Sequence, residues 1–329
     1  MLTFASNGWG LFMQITNQTT AKTLLARRFI RSPFSLIADF SENRYWAYIL
    51  MLPSLFLVAA VIVYPVIAGI AISFQRAQLN RPDRTGFIGL KNYIDLFQDS
   101  VFLQSLGNTA LWVTAGVLMQ FALGLLMALC LNTTLRGMKI ARVLLLLPWI
   151  LPTVVAGNMW ALMLDSRLGV INDVLVKMGL MTSYKAWFAD PRSAFPMVLV
   201  VALWQGFPFF TLLLLAGLQG IPDDLYEAAA VDGANRWNSF ANITLPMLRP
   251  VIVAVIVLRT IGLVNSPDLI VILTTGGPGH ATEILSSYAF LTAYAQLNFG
   301  YAGAISVIML LLLMIFTAIY VRISGVARD

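Results

Sequence analysis

Six long apolar runs dominate the chain, near residues 46–74, 109–131, 143–164, 194–218, 251–274 and 301–321. Each approaches or exceeds the roughly 20 residues a helix needs to cross about 30 Å of hydrocarbon. The apolar positions run on without alternation, so the segments read as helices and not as barrel strands. Pro53, Pro65, Pro148, Pro152 and Pro208 lie inside or at the edges of these runs. They predict kinks whose freed carbonyls are satisfied by neighbouring helices. The pattern predicts an all-α polytopic membrane protein with six spans. A polar interruption, 219–250, falls between the fourth and fifth.

Composition supports that reading. Of 329 residues, 59% are hydrophobic and 11% charged. Soluble domains carry roughly twice that charge fraction. The net charge of +6 belongs to loops on one side of a membrane and is no footprint of nucleic acid. Twelve Lys and Arg fall on the face that receives the N-terminus, 132–142, 219–250 and the C-terminus, and eight on the other. Lys22, Arg27, Arg28, Arg31 and Arg44 precede the first span. Both termini and the 219–250 loop are therefore expected in the cytoplasm. Residues 1–44 read as a leader without a cleavable signal, in which Leu24, Leu25, Phe29 and Ile30 beside Arg27 and Arg28 suit a short helix on anionic lipid. One cysteine, Cys130, excludes an internal disulfide, and one histidine, His280, argues against a soft-ligand metal site.

Within 219–250, Asp224 and Glu227 have the spacing of a capping box, with Pro222 just upstream. Ala228, Ala229 and Ala230 favour helix. Gly233 tolerates the positive φ that ends one. A second helical piece is expected over about 236–245, with Pro246 and Pro250 bending the chain into the next span. The product is a helix, a hinge and another helix on the membrane face. Its shape suits a peg for a partner, or an ordinary amphipathic connector.

The residues themselves narrow the choice. EAAAVDGANRWNSFANITLPMLRP (227–250) resembles the EAA loop of permease subunits in binding-protein-dependent ABC importers, at Glu227, Ala228, Ala229, Asp232, Gly233, Ala234, Phe240, Ile243, Leu245, Pro246 and Pro250. FIGLKNYIDLF (87–97), LPWILPTVVAGNMW (147–160), GVIN (169–172), LTTGGPGHATE (273–283) and FGYAGAIS (299–306) resemble segments of the sugar-importer branch, and of the maltose-importer first permease in particular. The resemblance spans about 45–325. It implies a MetI-like permease fold in a bacterial inner membrane. It also implies that this chain is half of a heterodimeric pore working by alternating access. A second permease subunit, two cytoplasmic ATPase subunits and an extracytoplasmic substrate-binding protein are the implied partners, with a saccharide as cargo. Glu227, Ala228, Ala229, Asp232, Gly233 and Ala234 would couple to the ATPase. The chain contains no G-x-x-x-x-G-K-[ST]. ATP and Mg are thus expected on the partner ATPase, and no cofactor on this chain. No H-E-x-x-H and no paired nucleophile and base suggest an enzyme. An ion-coupled secondary transporter is the alternative, but Asp268 is the only carboxylate inside a run.

Arg259 stands about eight residues into the fifth run, roughly 12 Å from its cytoplasmic end. Facing lipid it would cost at least about 2.5–3.5 kcal/mol, so it is expected to face a cavity or a partner. Its five donors could grip sugar hydroxyls or an acidic group. In a straight helix Asp268 would lie on the opposite face. The resemblance puts Gln205, Gly206, Phe209, Arg259, Leu263 and Ser266 at or beside substrate-contacting positions. Leu263 departs from the pattern, since it cannot hydrogen-bond a hydroxyl, so cargo preference need not match maltose. Asn158 and Asn265 read as helix-to-helix glue. Tyr288 and Tyr294 are candidates for contact with the binding protein.

Overall fold

The computed structural model describes residues 44–133 and 135–324. The leader proposed for 1–44 lies almost wholly outside the described residues. The chain divides into two compact units, up to Ala68 and from Gly69. The first holds α1 (Arg44–Val58), a π-turn (Ala59–Val63) and the start of α2 (Tyr64–Ser73). Pro53 is accommodated inside α1.

The second unit continues through a two-residue antiparallel hairpin, β1 (Gln75–Arg76) with β2 (Gly86–Phe87), in the register Gln75–Phe87 and Arg76–Gly86. A short helix α3 (Lys91–Gln98) leads into α4 (Ser100–Leu131). The predicted second span began at 109. The helix starts earlier because Asp99 caps it, its Oδ1 accepting from Val101 N at 2.9 Å. After α4 come α5 (Met138–Ile150), α6 (Thr153–Met163), α7 (Val170–Lys177), α8 (Pro191–Gln219), α9 (Asp223–Val231), α10 (Arg236–Ser239), a second π-turn (Phe240–Thr244), α11 (Leu245–Asn265), α12 (Asp268–Leu273), α13 (Leu285–Tyr294) and α14 (Phe299–Ser324).

Among the described residues five helices are long and apolar enough to cross a membrane, and a bent pair makes a sixth. That pair is α5 and α6, bent by 91°. The third span was read as one run over 143–164. Leu151 and Pro152 are extended (ψ 131 and 137), because the residue before a proline avoids the helical region. Pro148, by contrast, sits inside α5. The fifth span also differs from expectation. Residues Arg236–Asn265 form one continuous helical stretch, so Pro246 and Pro250 are absorbed without a break. The stretch stops at Asn265 and not at 274, with Ser266 extended before Pro267.

The core of the second unit lies where α4 packs along α8, closed by α11 and α12. Trp112, Phe195, Val198, Phe210, Leu214, Leu248 and Ile284 fill it. Trp112 meets Phe195 edge to face at 6.3 Å. A smaller cluster joins α3, α4, α13 and α14 through Leu96, Phe102, Leu285 and Ile305. Asp99 stitches these elements together: Oδ2 accepts from Tyr288 Oη (2.5 Å) and Tyr301 Oη (2.8 Å). Tyr288 is therefore buried, not held outward for a partner as its loop position suggested, whereas Tyr294 is exposed.

Candidate functional site

A cavity of about 240 Å³ opens where the two interrupted spans meet. Leu151, Pro152 and Thr153 from the α5–α6 bend form one side, with Trp149 just before them. Gln205 of α8 and Trp112 of α4 add further walls, and Arg259, Leu263 and Ser266 of α11 and its end complete the lining. Non-helical backbone inside a membrane is tolerated where it is buried in protein or lines a cavity. Here the exposed main chain is used: Gln205 Nε2 donates to the Leu151 carbonyl and to Thr153 Oγ1, each at 3.4 Å.

The residues singled out from the sequence take different places. Gln205, Arg259, Leu263 and Ser266 line the cavity. Leu263 contributes its main chain as a polar group, its carbonyl accepting from Trp112 Nε1 at 3.2 Å. Ser266 Oγ donates to Asp268 Oδ2 at 2.9 Å. Asp268 thus opens α12 and does not sit mid-span on a straight helix, because Ser266–Pro267 breaks the run. Phe209 is not part of the cavity wall; it packs on Trp149 (5.9 Å between centroids) and Phe210 (6.0 Å). Gly206 lies behind Arg259. A Cβ there would stand 2.3 Å from Arg259 Nη2 and 2.3 Å from Gln120 Oε1, so only glycine leaves the guanidinium its slot. Asn158 and Asn265, read as helix-to-helix glue, donate within their own helices to Val154 and Ile261 carbonyls.

The sequence reading passed over Gln120. Its side chain is fully buried, and its Oε1 accepts from Arg259 Nε at 2.6 Å. The signal was present, as the one side-chain amide inside the 109–131 run.

The 219–250 loop forms a second polar feature. α9 starts at Asp223 with Pro222 at the N-cap and no side-chain cap bond. The expected capping box does not form: the helix begins one residue before Asp224, which leaves Asp223 and Asp224 in the first turn, facing the positive end of the dipole. Glu227, Ala228, Asp232 and Gly233 are exposed, while Ala229 and Ala234 are half-buried. Gly233 has φ +81°, the conformation that ends α9. Asn235 caps the next helix, accepting from Asn238 N at 2.8 Å. Tyr226 Oη and Thr244 Oγ1, 2.9 Å apart, pin α9 to the π-turn at the foot of the fifth span.

Residues 120–325 match the family described as the binding-protein-dependent transport system inner membrane component. The chain belongs to that family. It is a transmembrane permease subunit of the ABC-importer type, a transport component and not an enzyme, and an ion-coupled carrier has no support. Among its relatives, the trehalose/maltose transport system permease protein MalF of Thermococcus litoralis is 38% identical over 282 residues, covering 86% of this chain and 94% of that protein. The sulfoquinovosyl glycerol transport system permease protein SmoG of Agrobacterium fabrum is 37% identical over 281 residues, covering 85% and 91%. Of solved structures, a bacterial ABC transporter involved in the import of the acidic polysaccharide alginate superposes with a TM-score of 0.75 at 23% identity, covering 88% of this chain and 98% of that one. That likeness shows the MetI-like fold.

Proposed function

We propose that this permease carries a saccharide, and that the cavity at the two helix breaks is part of its cargo path. The observation that carries the reading is the convergence of Gln205, Arg259, Thr153 and the Leu151 carbonyl on one cavity inside the spans. Donors and acceptors at that depth serve hydroxyl-rich or acidic cargo and are costly otherwise. The maltose/trehalose and sulfoquinovosyl glycerol permeases, both more than a third identical, support a carbohydrate. The site residues proposed are Gln205, Gly206, Arg259, Leu263 and Ser266, with Phe209 packing behind.

In this reading the chain is half of a heterodimeric pore. The α9–hinge–α10 loop docks on a cytoplasmic ATPase through Glu227, Ala228, Ala229, Asp232, Gly233 and Ala234. A binding protein delivers cargo from outside, both termini are cytoplasmic, and residues 45–329 form the permease domain after the leader. ATP-driven closure of two ATPases would swing the spans through the Tyr226–Thr244 pin.

Two measurements test this. Affinity capture of the ATPase by the permease is expected to be lost on Glu227→Arg or Gly233→Pro, with the permease still in the membrane; retained capture sinks the docking role. Uptake of maltose, trehalose and an alginate trisaccharide into proteoliposomes holding the complete importer should yield a transported sugar in the wild type. Arg259→Ala should cut its uptake about tenfold or more, the scale of one lost charge-assisted hydrogen bond. Unchanged uptake removes Arg259 from the cargo path.

A further inference from the structure

Gln120 joins three spans through one amide. It sits on α4, donates Nε2 to the Ala202 carbonyl of α8 at 3.0 Å, and accepts from Arg259 Nε of α11 at 2.6 Å. Both bonds use the amide in its only consistent orientation, N toward the carbonyl and O toward the guanidinium. Gly206 closes the back of the slot. Nε is the single-hydrogen corner of the guanidinium. Capturing that corner leaves both Nη nitrogens without a hydrogen-bond partner among the described residues, Nη2 lying against Gly206. Arg259 makes no ion pair among the described residues. Its buried partner is neutral, so its charge is not cancelled.

We infer that Gln120 is a positioning residue for cargo recognition: a neutral clamp that orients Arg259 by Nε and leaves the Nη edge charged and free for a pair of cargo oxygens. The inference rests on the cavity being the cargo site. A glutamate would hold the same corner but neutralise the group, and a leucine would leave the fork unheld. Inter-helix glue alone would predict loss of assembly and no particular dependence on Arg259.

The test measures equilibrium binding of maltose and of an alginate disaccharide to the purified full-length permease pair, read by fluorescence of Trp112 and Trp149 at the cavity. Variants are Gln120→Leu, Gln120→Glu, Arg259→Ala and the double variant Gln120→Leu/Arg259→Ala. Both single changes, Gln120→Leu and Arg259→Ala, are expected to weaken binding about tenfold or more. The double variant should bind no more weakly than Arg259→Ala, with the permease pair recovered in wild-type yield. Gln120→Glu should lower affinity for the alginate disaccharide relative to maltose; it also serves if Gln120→Leu fails to assemble. Additive losses, an unchanged affinity ratio in Gln120→Glu, or wild-type affinity in Gln120→Leu while Arg259→Ala binds poorly overturn the positioning role and leave the cavity standing. Wild-type affinity in Arg259→Ala, or no binding of either sugar by wild type, overturns the cavity reading and the clamp with it.

Discussion

At the scale of residues, the candidate site turns on contacts that differ in how far a sequence discloses them. Arg259 was legible because a guanidinium in an apolar run demands an explanation. Gln120 was equally visible in kind, and was missed because its partner lies 139 positions away. The Leu151 carbonyl was not legible at all, since every residue carries one and only the bend frees it. Gly206 needed the fold to explain it. A methyl at this position would meet Arg259 Nη2 and Gln120 Oε1 well inside contact distance. Gly206→Ala should therefore displace the guanidinium and reduce transport about tenfold or more, the cost of a misplaced charged donor. Uptake per assembled complex, compared with Gly107→Ala, which meets nothing within 4 Å, checks this.

Among elements, the presence of long apolar helices was readable and their interruptions were not. Continuous hydropathy reported 143–164 and 251–274 as single crossings, because a break changes backbone angles without changing apolarity. Pro152 and Pro267 were the available clues, yet Pro148, Pro208 and Pro250 sit inside helices. A proline alone does not distinguish a kink from a break; the extended residue before it does. The cytoplasmic loop shows the same division. Its hinge at Gly233 was evident, but its caps were misassigned, since Pro222 starts α9 and Asn235, unnoticed, starts α10. If Tyr226–Thr244 transmits force from α9 to the fifth span, Tyr226→Phe should leave ATPase capture intact while lowering sugar moved per ATP hydrolysed. Equal stoichiometry would make the pin a packing contact.

Over the whole molecule, Asp99 reports on the joint between the start of α4 and the α13–α14 pair. Burial works against its charge, but hydrogen bonds from Tyr288, Tyr301 and the amides of Val101 and Phe102 hold its carboxyl below the usual carboxylate range. A group whose pKa falls on folding stabilises above its unfolded value, about 3.9, and loses that contribution as pH drops through the folded value. Wild type should therefore melt above Asp99→Asn near neutral pH, and the gap should shrink below about pH 4. A gap constant from pH 7 to 3 would show that the carboxylate charge contributes nothing. The right-angle turn at Leu151–Pro152 has a different consequence, for how such a transporter changes its diet. A wall built from main-chain oxygen is out of reach of point mutation, since every amino acid supplies the same atom. If the cavity carries cargo, selection for a new sugar should leave 151–152 silent and accumulate changes at side chains such as Trp149, Gln205 and Ser266 around that fixed rim.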